Sequence, residues 1–154
     1  IRVTHNDAKL SNILFDKNDK GLAVIDLDTV MPGIVAFDFG DSIRSICTTT
    51  VEDDTNLKAT RINLELYEAF CKGFGTTTKH ILTPTEIKSL PLGAKTITFI
   101  MGLRFLTDYL NDNIYYKVGY KTHNLVRAKN QFKLVKTIQE NYKTIQQITE
   151  TVFI

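Results

Sequence analysis

Two short apolar runs near the start of the chain, residues 12–15 and 22–25, restrict its fold more than any other feature. A polar stretch rich in turn formers, residues 16–21, separates them, and this arrangement predicts a β-hairpin. Asn12 begins the first run and Asp26 follows the second, so antiparallel pairing would bring the two side chains together. Because Mg²⁺ binds amide and carboxylate oxygens, the hairpin predicts a place for this ion.

A second group of polar residues comes just before the hairpin. His5, Asp7 and Asn12 form the pattern H-x-D-x-x-x-x-N. Phosphoryl transfer requires mainly a group that orients the attacking hydroxyl and oxygen ligands for magnesium on the phosphates. Asp7 is the candidate for the catalytic base, with Asn12 and Asp26 as magnesium ligands. The pattern therefore indicates a kinase-type centre that uses ATP and Mg²⁺.

Four segments carry a resemblance to a known family: THNDAK at 4–9, VIDLDTVMPG at 24–33, FDFGDSIR at 37–44 and GLRFLTDYL at 102–110. The chain resembles the aminoglycoside phosphotransferase-like, or protein-kinase-like, small-molecule kinases. Within them it is most similar to the N-acetylhexosamine 1-kinases, also described as mucin-desulfatase-related phosphotransferases. The resemblance implies an α+β, mainly α fold over residues 1–154. This would be the C-terminal helical lobe of a protein-kinase-like enzyme, with a small catalytic β-hairpin.

The resemblance also implies roles for residues around the hairpin. His5 would brace the catalytic loop, and Asp38 would steady the metal-binding loop, although Asp38 also stands where a helix N-cap is expected. Lys9 could meet the γ-phosphate as a point charge or could be a solvated lysine. Asp28 could serve a second metal, a substrate hydroxyl or a helix cap.

Three residues are candidates for binding the acceptor. Arg104 lies among the apolar residues of a predicted helix, where it would pair with Asp108 or, as the resemblance implies, bind sugar oxygens. Tyr115 lies in an exposed aromatic segment and would either pack or, by the same resemblance, contact the sugar. Arg44 could bind substrate but could equally pair with the nearby Asp41 or Asp38.

Apolar spacing and capping signals predict helices in the rest of the chain. One helix would end near Gly73 or Gly75, with its apolar face at Ile62, Leu66, Ala69, Phe70 and Phe74. Thr83 and Glu86 form a capping-box pattern at the start of the next helix, which Pro91 should kink or divide. Residues 124–151 predict one long amphipathic helix, docked on the preceding helices rather than on a coiled-coil partner.

Length and composition exclude several classes of protein. The 154 residues, 43% of them hydrophobic, fit one soluble globular domain, and a net charge of +2 without a basic block argues against a nucleic-acid partner. Without an apolar run of about 20 residues or a secretory leader pattern, no membrane partner is expected, and the cytoplasm is the expected location. Cys47 and Cys71 lack metal-ligand spacing and should be buried free thiols.

The expected activity is transfer of the ATP γ-phosphate to a hydroxyl of a small molecule. The resemblance implies the anomeric hydroxyl of an N-acetylhexosamine, and hence a place in carbohydrate metabolism. Acceptors of the aminoglycoside, choline or homoserine type remain alternatives, as do a non-catalytic kinase-fold scaffold and a metal-dependent phosphohydrolase. The sequence lacks a Gly-rich phosphate loop and its lysine. A nucleotide-binding N-terminal lobe of the same protein is therefore the expected partner, and the isolated chain should be inactive.

Overall fold

The computed structural model describes residues 1–153, which form an α+β fold that is mainly helical, as the sequence predicts. The four strands are β1 (Arg2–Thr4), β2 (Ile13–Phe15), β3 (Gly21–Val24) and β4 (Met31–Gly33). The five α-helices are α1 (Val35–Ile46), α2 (Leu64–Thr78), α3 (Pro84–Leu110), α4 (His123–Glu140) and α5 (Tyr142–Phe153).

The strands form two small antiparallel sheets, β2 with β3 and β1 with β4. The β2–β3 hairpin is confirmed, and its register sets Ile13 opposite Val24. The Ile25 N–H donates to the Asn12 carbonyl at 2.9 Å, which fixes the base of the hairpin next to both predicted metal ligands. The β1–β4 pair joins the two ends of this region. Residues 5–30, which include the β2–β3 hairpin, are therefore a segment whose two ends are joined by the β1–β4 pair.

Helices α1 and α3 approach each other closely because both present glycine at the crossing. A side chain on Gly93 would collide with the backbone of Ala36, and one on Gly40 would collide with the backbone at Gly93. The same two helices supply much of the buried core, together with α2, α4 and α5: Phe39, Ile43, Tyr67, Leu90, Leu134, Ile138 and Ile145 are fully buried. The position of α1 is therefore set by backbone-to-backbone packing.

Helix α2 differs from its prediction at both ends. Asn63 caps it by accepting the N–H groups of Glu65 and Leu66, so Ile62 lies outside the helix. Asparagine is a preferred N-cap residue, and this capping is the physical reason for the later start. At the other end, the helix continues through both glycines to Thr78.

The predicted buried face of α2 is also wrong in part. Leu66 is 41% exposed and Ala69 is exposed, whereas Tyr67, Cys71 and Gly75 are buried. The register differs because the contacts that bury the face come from α5. The Tyr67 hydroxyl, for example, lies 2.7 Å from the Thr149 hydroxyl.

Two further predictions concern the long helices. The capping box of Thr83 and Glu86 is confirmed, but Pro91 does not divide α3, which runs unbroken with Pro91 buried in the core.

The prediction of a single helix over residues 124–151 is wrong, because α4 and α5 are separate and meet at Asn141. Asn141 serves both helices: its side-chain amide donates to the Thr137 carbonyl at 2.8 Å, and its own carbonyl accepts the Ile145 N–H at 3.0 Å. Docking on the preceding helices is confirmed, since α4 packs on α3 and α5 packs on α3 and α2.

The two cysteines are buried and free, as predicted. Burial raises the pKa of Cys47 to about 12 and that of Cys71 to about 11, so neither thiol ionises near neutral pH. Between residues 1 and 153, no helix has the length and apolar character needed to cross a membrane.

The helix crossing generates a prediction about stability. Replacing Gly93 with alanine should destabilise the fold by about 1–3 kcal/mol, because the new methyl group overlaps the Ala36 backbone and the helices must separate. Urea unfolding followed by circular dichroism would measure the loss. Gly73→Ala is the matched control, since Gly73 lies inside α2 and an added β-carbon there would meet no atom of another part of the chain within 4 Å. That variant should be neutral or more stable by up to about 1 kcal/mol. Equal stabilities of the two variants would contradict the proposed role of the crossing.

Candidate active site

The loop that carries Asp7 is fixed by the carboxylate of Asp38. Asp38 accepts the backbone N–H of His5 and that of Asn6, each at 2.7 Å. The prediction that Asp38 is an N-cap is wrong, because Ile34 occupies that position and Asp38 lies inside the first turn of α1. Its carboxylate binds the loop amides instead of the amides of its own helix. A carboxylate that accepts two backbone N–H groups makes strong, charge-assisted hydrogen bonds, which hold the loop in place.

His5 and Asn6 link this loop to the hairpin and to the turn after it. The His5 Nε2 lies 3.0 Å from the Ile25 carbonyl, and the Thr29 hydroxyl donates to the His5 carbonyl at 2.7 Å. Asn6 has a left-handed backbone (φ 62°), and its side-chain amide donates to the carbonyls of Thr4 and Thr29. Asparagine tolerates this conformation better than most residues. His5 thus lies in the position predicted for a bracing residue.

Asp7, Lys9 and Asn12 form a tight polar cluster. The Lys9 ammonium lies 2.6 Å from Asp7 Oδ2, and the Asn12 side-chain amide donates to the same oxygen at 3.0 Å. Burial by itself raises the pKa of Asp7, but hydrogen bonds from Lys9 and Asn12, with the charges of Lys9 and Arg44, outweigh it and lower the pKa below its ordinary value. Asp7 is therefore ionised at neutral pH and can accept a hydrogen bond or a proton.

The predicted magnesium ligands come together at the base of the hairpin. The Asn12 amide nitrogen donates to the Asp7 carbonyl at 2.9 Å and lies 3.3 Å from Asp26 Oδ2, which leaves the Asn12 amide oxygen for another partner. Asp26 has a left-handed backbone (φ 64°) at the end of β3, and Asp28 is exposed on the turn that follows. One carboxylate and one amide oxygen are hard donors and fit Mg²⁺.

The number of protein ligands at this place is small. Over residues 1–153 there is no group of three or more His, Cys, Asp or Glu side chains placed to hold a metal ion. Magnesium often binds through one or two protein oxygens and takes its other ligands from water and phosphate. The donor set therefore fits a metal that arrives with a nucleotide better than it fits a permanent metal centre.

Beside Asp7 lies a cavity of about 470 Å³, large enough for a small molecule. Its lining comes from both ends of the chain: Asn6, Asp7, Lys9, Ser11, Thr29, Arg44, Glu52, Met101, Arg104, Phe105, Tyr115, Tyr116, Lys117 and Arg127. The structure thus brings Arg44, Arg104 and Tyr115, the three acceptor-binding candidates, to the same cavity as Asp7 and Lys9. Nothing in their sequence separation required this.

Arg104 differs from one of its two predicted alternatives, the ion pair with Asp108. It is exposed and does not pair with Asp108. Instead its guanidinium lies 5.6 Å from the centre of the Tyr115 ring and 5.5 Å from that of Tyr116. A guanidinium stacked on aromatic rings keeps its charge available to a ligand. Helical spacing alone favoured the ion pair, but the Asp108 carboxylate has other partners.

Asp108 and Asn124 hold the aromatic segment in place. The buried Asp108 carboxylate accepts the backbone N–H of Tyr115 at 2.8 Å and that of Tyr116 at 2.9 Å. The side-chain amide of the fully buried Asn124 donates to the same carboxylate at 2.8 Å. The wall of the cavity formed by the two tyrosines therefore depends on this contact. Asp108 is a positioning residue that was interpreted from the sequence only as a partner for Arg104.

Arg44 is buried and paired. Its Nε lies 2.6 Å from the Asp41 carboxylate, which confirms one of the predicted alternatives, and its Nη1 lies 2.7 Å from Glu52. Arg44 nevertheless lines the cavity, so its charge contributes to the potential there. Two of its guanidinium nitrogens are bound to carboxylates of the protein, so fewer of its donors remain for a ligand.

The lining residues that the sequence did not indicate include Glu52, Tyr116, Lys117 and Arg127. Glu52 lies in a polar loop without periodicity, and Arg127 lies on a helix recognised only by its apolar stripe. Tyr116 and Lys117 directly follow the candidate Tyr115, and that adjacency was the one available signal. Their convergence depends on the packing of α4 against α3.

The contact at Asp108 generates a second prediction. Asp108→Asn should loosen residues 114–118, because a neutral amide accepts the two backbone N–H groups less strongly and turns one nitrogen toward a donor. We expect a loss of about 1.5–3 kcal/mol of stability and faster amide hydrogen exchange at Tyr115 and Tyr116. Asp112→Asn is the control, because Asp112 is exposed and its left-handed backbone (φ 60°) suits asparagine equally well. Unchanged exchange in Asp108→Asn would refute the positioning role.

The comparison with known families agrees with this geometry. Residues 1–75 match the family model for the phosphotransferase enzyme family, APH. The matched part contains the four strands, α1 and most of α2, and with them the residues from His5 to Arg44 described above. The match supports placing the chain in the aminoglycoside phosphotransferase-like superfamily, and it indicates a phosphotransferase that acts on small molecules.

Proposed function

We propose that this chain carries the catalytic centre of an ATP-dependent kinase that transfers the γ-phosphate to a hydroxyl of a small molecule. The observation that carries the proposal is the ionised Asp7 at the edge of a 470 Å³ cavity, with Asn12 and Asp26 adjoining it. A base, oxygen ligands and an acceptor cavity in contact with one another are the parts that phosphoryl transfer requires.

Each residue has a defined part in the proposed reaction. The acceptor oxygen attacks the γ-phosphorus, the bond from that phosphorus to the oxygen shared with the β-phosphate breaks, and ADP leaves. Asp7 orients the acceptor hydroxyl and takes its proton. Lys9, 2.6 Å from Asp7, places a positive charge where the transferred group passes. Asn12 and Asp26 would hold Mg²⁺, which supplies charge to offset that of the phosphate oxygens.

The acceptor we propose is an N-acetylhexosamine, phosphorylated at its anomeric hydroxyl. The size of the cavity and the aromatic faces of Tyr115 and Tyr116 suit a pyranose ring, and Arg104 offers donors for its oxygens. The cavity is lined by five cationic side chains and only two carboxylates. Cationic acceptors such as aminoglycosides or choline are therefore disfavoured, because like charges repel in a partly enclosed site.

A nucleotide-binding lobe of the same protein is the partner we propose for the surface around the hairpin. Large apolar side chains of both sheets and of the turn after β3 are exposed there, including Val3 at 79%, Leu22 at 63% and Leu27 at 58%. Several large exposed apolar side chains in one region are typical of an interface. It adjoins Asn12 and Asp26, so a lobe docked there would bring its nucleotide to the proposed metal ligands.

The first prediction from this proposal concerns Asp7. Asp7→Asn in the full-length protein should lower kcat by about 10²–10⁴-fold, because the amide cannot take the hydroxyl proton, while the affinity for ATP stays unchanged. Asp16→Asn is a matched control in the hairpin turn, because Asp16 does not line the cavity and an amide oxygen can still accept the backbone N–H groups of Asn18 and Lys20. An Asp7→Asn variant with normal turnover would remove Asp7 from the mechanism.

Phosphorus NMR of the full-length protein with ATP, Mg²⁺ and a panel of acceptors tests the acceptor. The panel contains N-acetylglucosamine, N-acetylgalactosamine, homoserine, choline and kanamycin. A new sugar 1-phosphate resonance is the expected result. Phosphorylation of another acceptor alone would keep the kinase and overturn the sugar. ATP bound without transfer would favour a scaffold, and release of inorganic phosphate without an acceptor would favour a phosphohydrolase.

The proposed lobe generates a prediction of its own. Residues 1–154 expressed alone should bind ATP at least about tenfold more weakly than the full-length protein, because the loop and lysine that hold nucleotide phosphates in kinases would be absent. Isothermal titration calorimetry with ATP and Mg²⁺ measures the difference. Equal affinities would show that the exposed surface around the hairpin does not receive a nucleotide lobe.

A further inference from the structure

The acceptor cavity has a positive wall whose charge the kinase reaction does not fully use. The cationic side chains that line the cavity are Lys9, Arg44, Arg104, Lys117 and Arg127, and the anionic ones are Asp7 and Glu52. Three of the cations belong to α3, α4 and the segment between them. This wall lies on the side that holds the aromatic residues.

Some of these charges are balanced inside the protein. Lys9 pairs with Asp7 at 2.6 Å. Arg44 pairs with Glu52 at 2.7 Å and also with Asp41, which lies behind it. These contacts account for every carboxylate that lines the cavity.

Arg104 and Lys117 remain without such a partner. Among the residues that the structure describes, Arg104 donates only to the Met101 sulfur, at 3.9 Å, and to the Tyr115 hydroxyl, at 3.4 Å. Lys117 is exposed at the cavity and forms no ion pair with any described carboxylate. Two positive charges in the lining of a small cavity, neither of them paired with a carboxylate, favour a negatively charged occupant.

Two buried polar atoms in the same wall also lack partners. The Tyr116 hydroxyl and Arg127 Nε are both inaccessible to solvent and have no hydrogen-bond partner among the described residues. Glu52 lies 3.8 Å from Arg127 Nε, which is too far for a hydrogen bond. Buried polar groups almost always have a partner, so two orphaned donors in one wall indicate that these side chains turn toward acceptor atoms when a ligand fills the cavity. Burial raises the pKa of Tyr116, so its hydroxyl keeps its proton and can donate.

We propose that the acceptor carries an acidic group, whose oxygens are bound by Arg104, Lys117, Arg127 and the Tyr116 hydroxyl while the acceptor hydroxyl faces Asp7. This inference rests on the proposed kinase function and changes its preferred acceptor: neutral N-acetylhexosamines would be the weaker acceptors, and sugars of similar size that carry an acidic group the better ones. A carboxylate and a phosphate ester share the required chemistry, since both present two or more anionic oxygens to an arginine fork. Stacking on Tyr115 and Tyr116 holds the Arg104 guanidinium ready for such a contact.

Matched pairs of acceptors test the inference in the full-length protein. Glucuronic acid is compared with glucose, and N-acetylglucosamine 6-phosphate with N-acetylglucosamine. The acidic member of at least one pair should show kcat/KM higher by about tenfold or more, the gain expected from charge-assisted hydrogen bonds. The pair that shows the preference distinguishes a carboxylate from a phosphate. Isothermal titration calorimetry without nucleotide should give the same order of affinities.

Variants identify the residues responsible. In Arg104→Gln and Lys117→Gln, the ratio of kcat/KM for the acidic acceptor to that for its neutral partner should fall by about tenfold. Lys121→Gln is the matched control, because Lys121 is exposed in the same segment but does not line the cavity. It should keep the wild-type ratio. A rise in KM for ATP with an unchanged ratio would assign the cations to the nucleotide and overturn the inference.

The remaining outcomes separate the inference from the kinase proposal. Transfer to the neutral sugars only would leave the kinase in place and overturn the acidic acceptor. Selective binding of the acids, weakened in Arg104→Gln, with no transfer to any acceptor would keep the anion site and overturn the kinase. If the protein shows neither a preference for binding the acids nor transfer to any acceptor, the anion site and the kinase are both overturned.

Discussion

The geometry of the candidate site depends on the carboxylate of Asp38, which accepts hydrogen bonds from two successive backbone N–H groups of the catalytic loop. Because a loop has little rigidity of its own, these hydrogen bonds set the position of Asp7. Asp38 belongs to α1, and α1 is fixed against α3 through the contact of Gly40 with Gly93. The packing of α1 on α3 thus sets the position of the Asp7 carboxylate through the two hydrogen bonds of Asp38.

The acceptor side of the cavity repeats this arrangement on the neighbouring helix. Asp108 on α3 accepts hydrogen bonds from the backbone N–H groups of Tyr115 and Tyr116, as Asp38 on α1 accepts those of the catalytic loop. Two helices in direct contact therefore each carry an aspartate that fixes an irregular segment. The catalytic base and the aromatic wall keep a constant separation because their supports are packed against each other.

What the sequence predicted well was determined by neighbours along the chain. The hairpin, the meeting of Asn12 with Asp26, and the capping box of α3 all follow from short-range pattern. The position of Asp38 depends instead on a contact with a distant segment, and the partners of Asp108 lie beyond its own helix. The break between α4 and α5 is local, but it depends on the bonds of Asn141, which the apolar spacing does not reveal. The i,i+4 spacing predicts an ion pair between Arg104 and Asp108. The Asp108 carboxylate instead accepts the backbone N–H groups of Tyr115 and Tyr116, which bind it more strongly than an exposed ion pair would.

Asp108 binds the main chain of the aromatic segment, not its side chains. The backbone of residues 115 and 116 would keep its anchor with any side chain except that of proline, which has no N–H to donate. Substitutions there can alter the shape and charge of the cavity wall without disturbing the fold or the catalytic loop. Such a segment is a favourable place for natural variation, through which related chains could acquire new acceptors by a few mutations while the phosphate-transferring half stays the same.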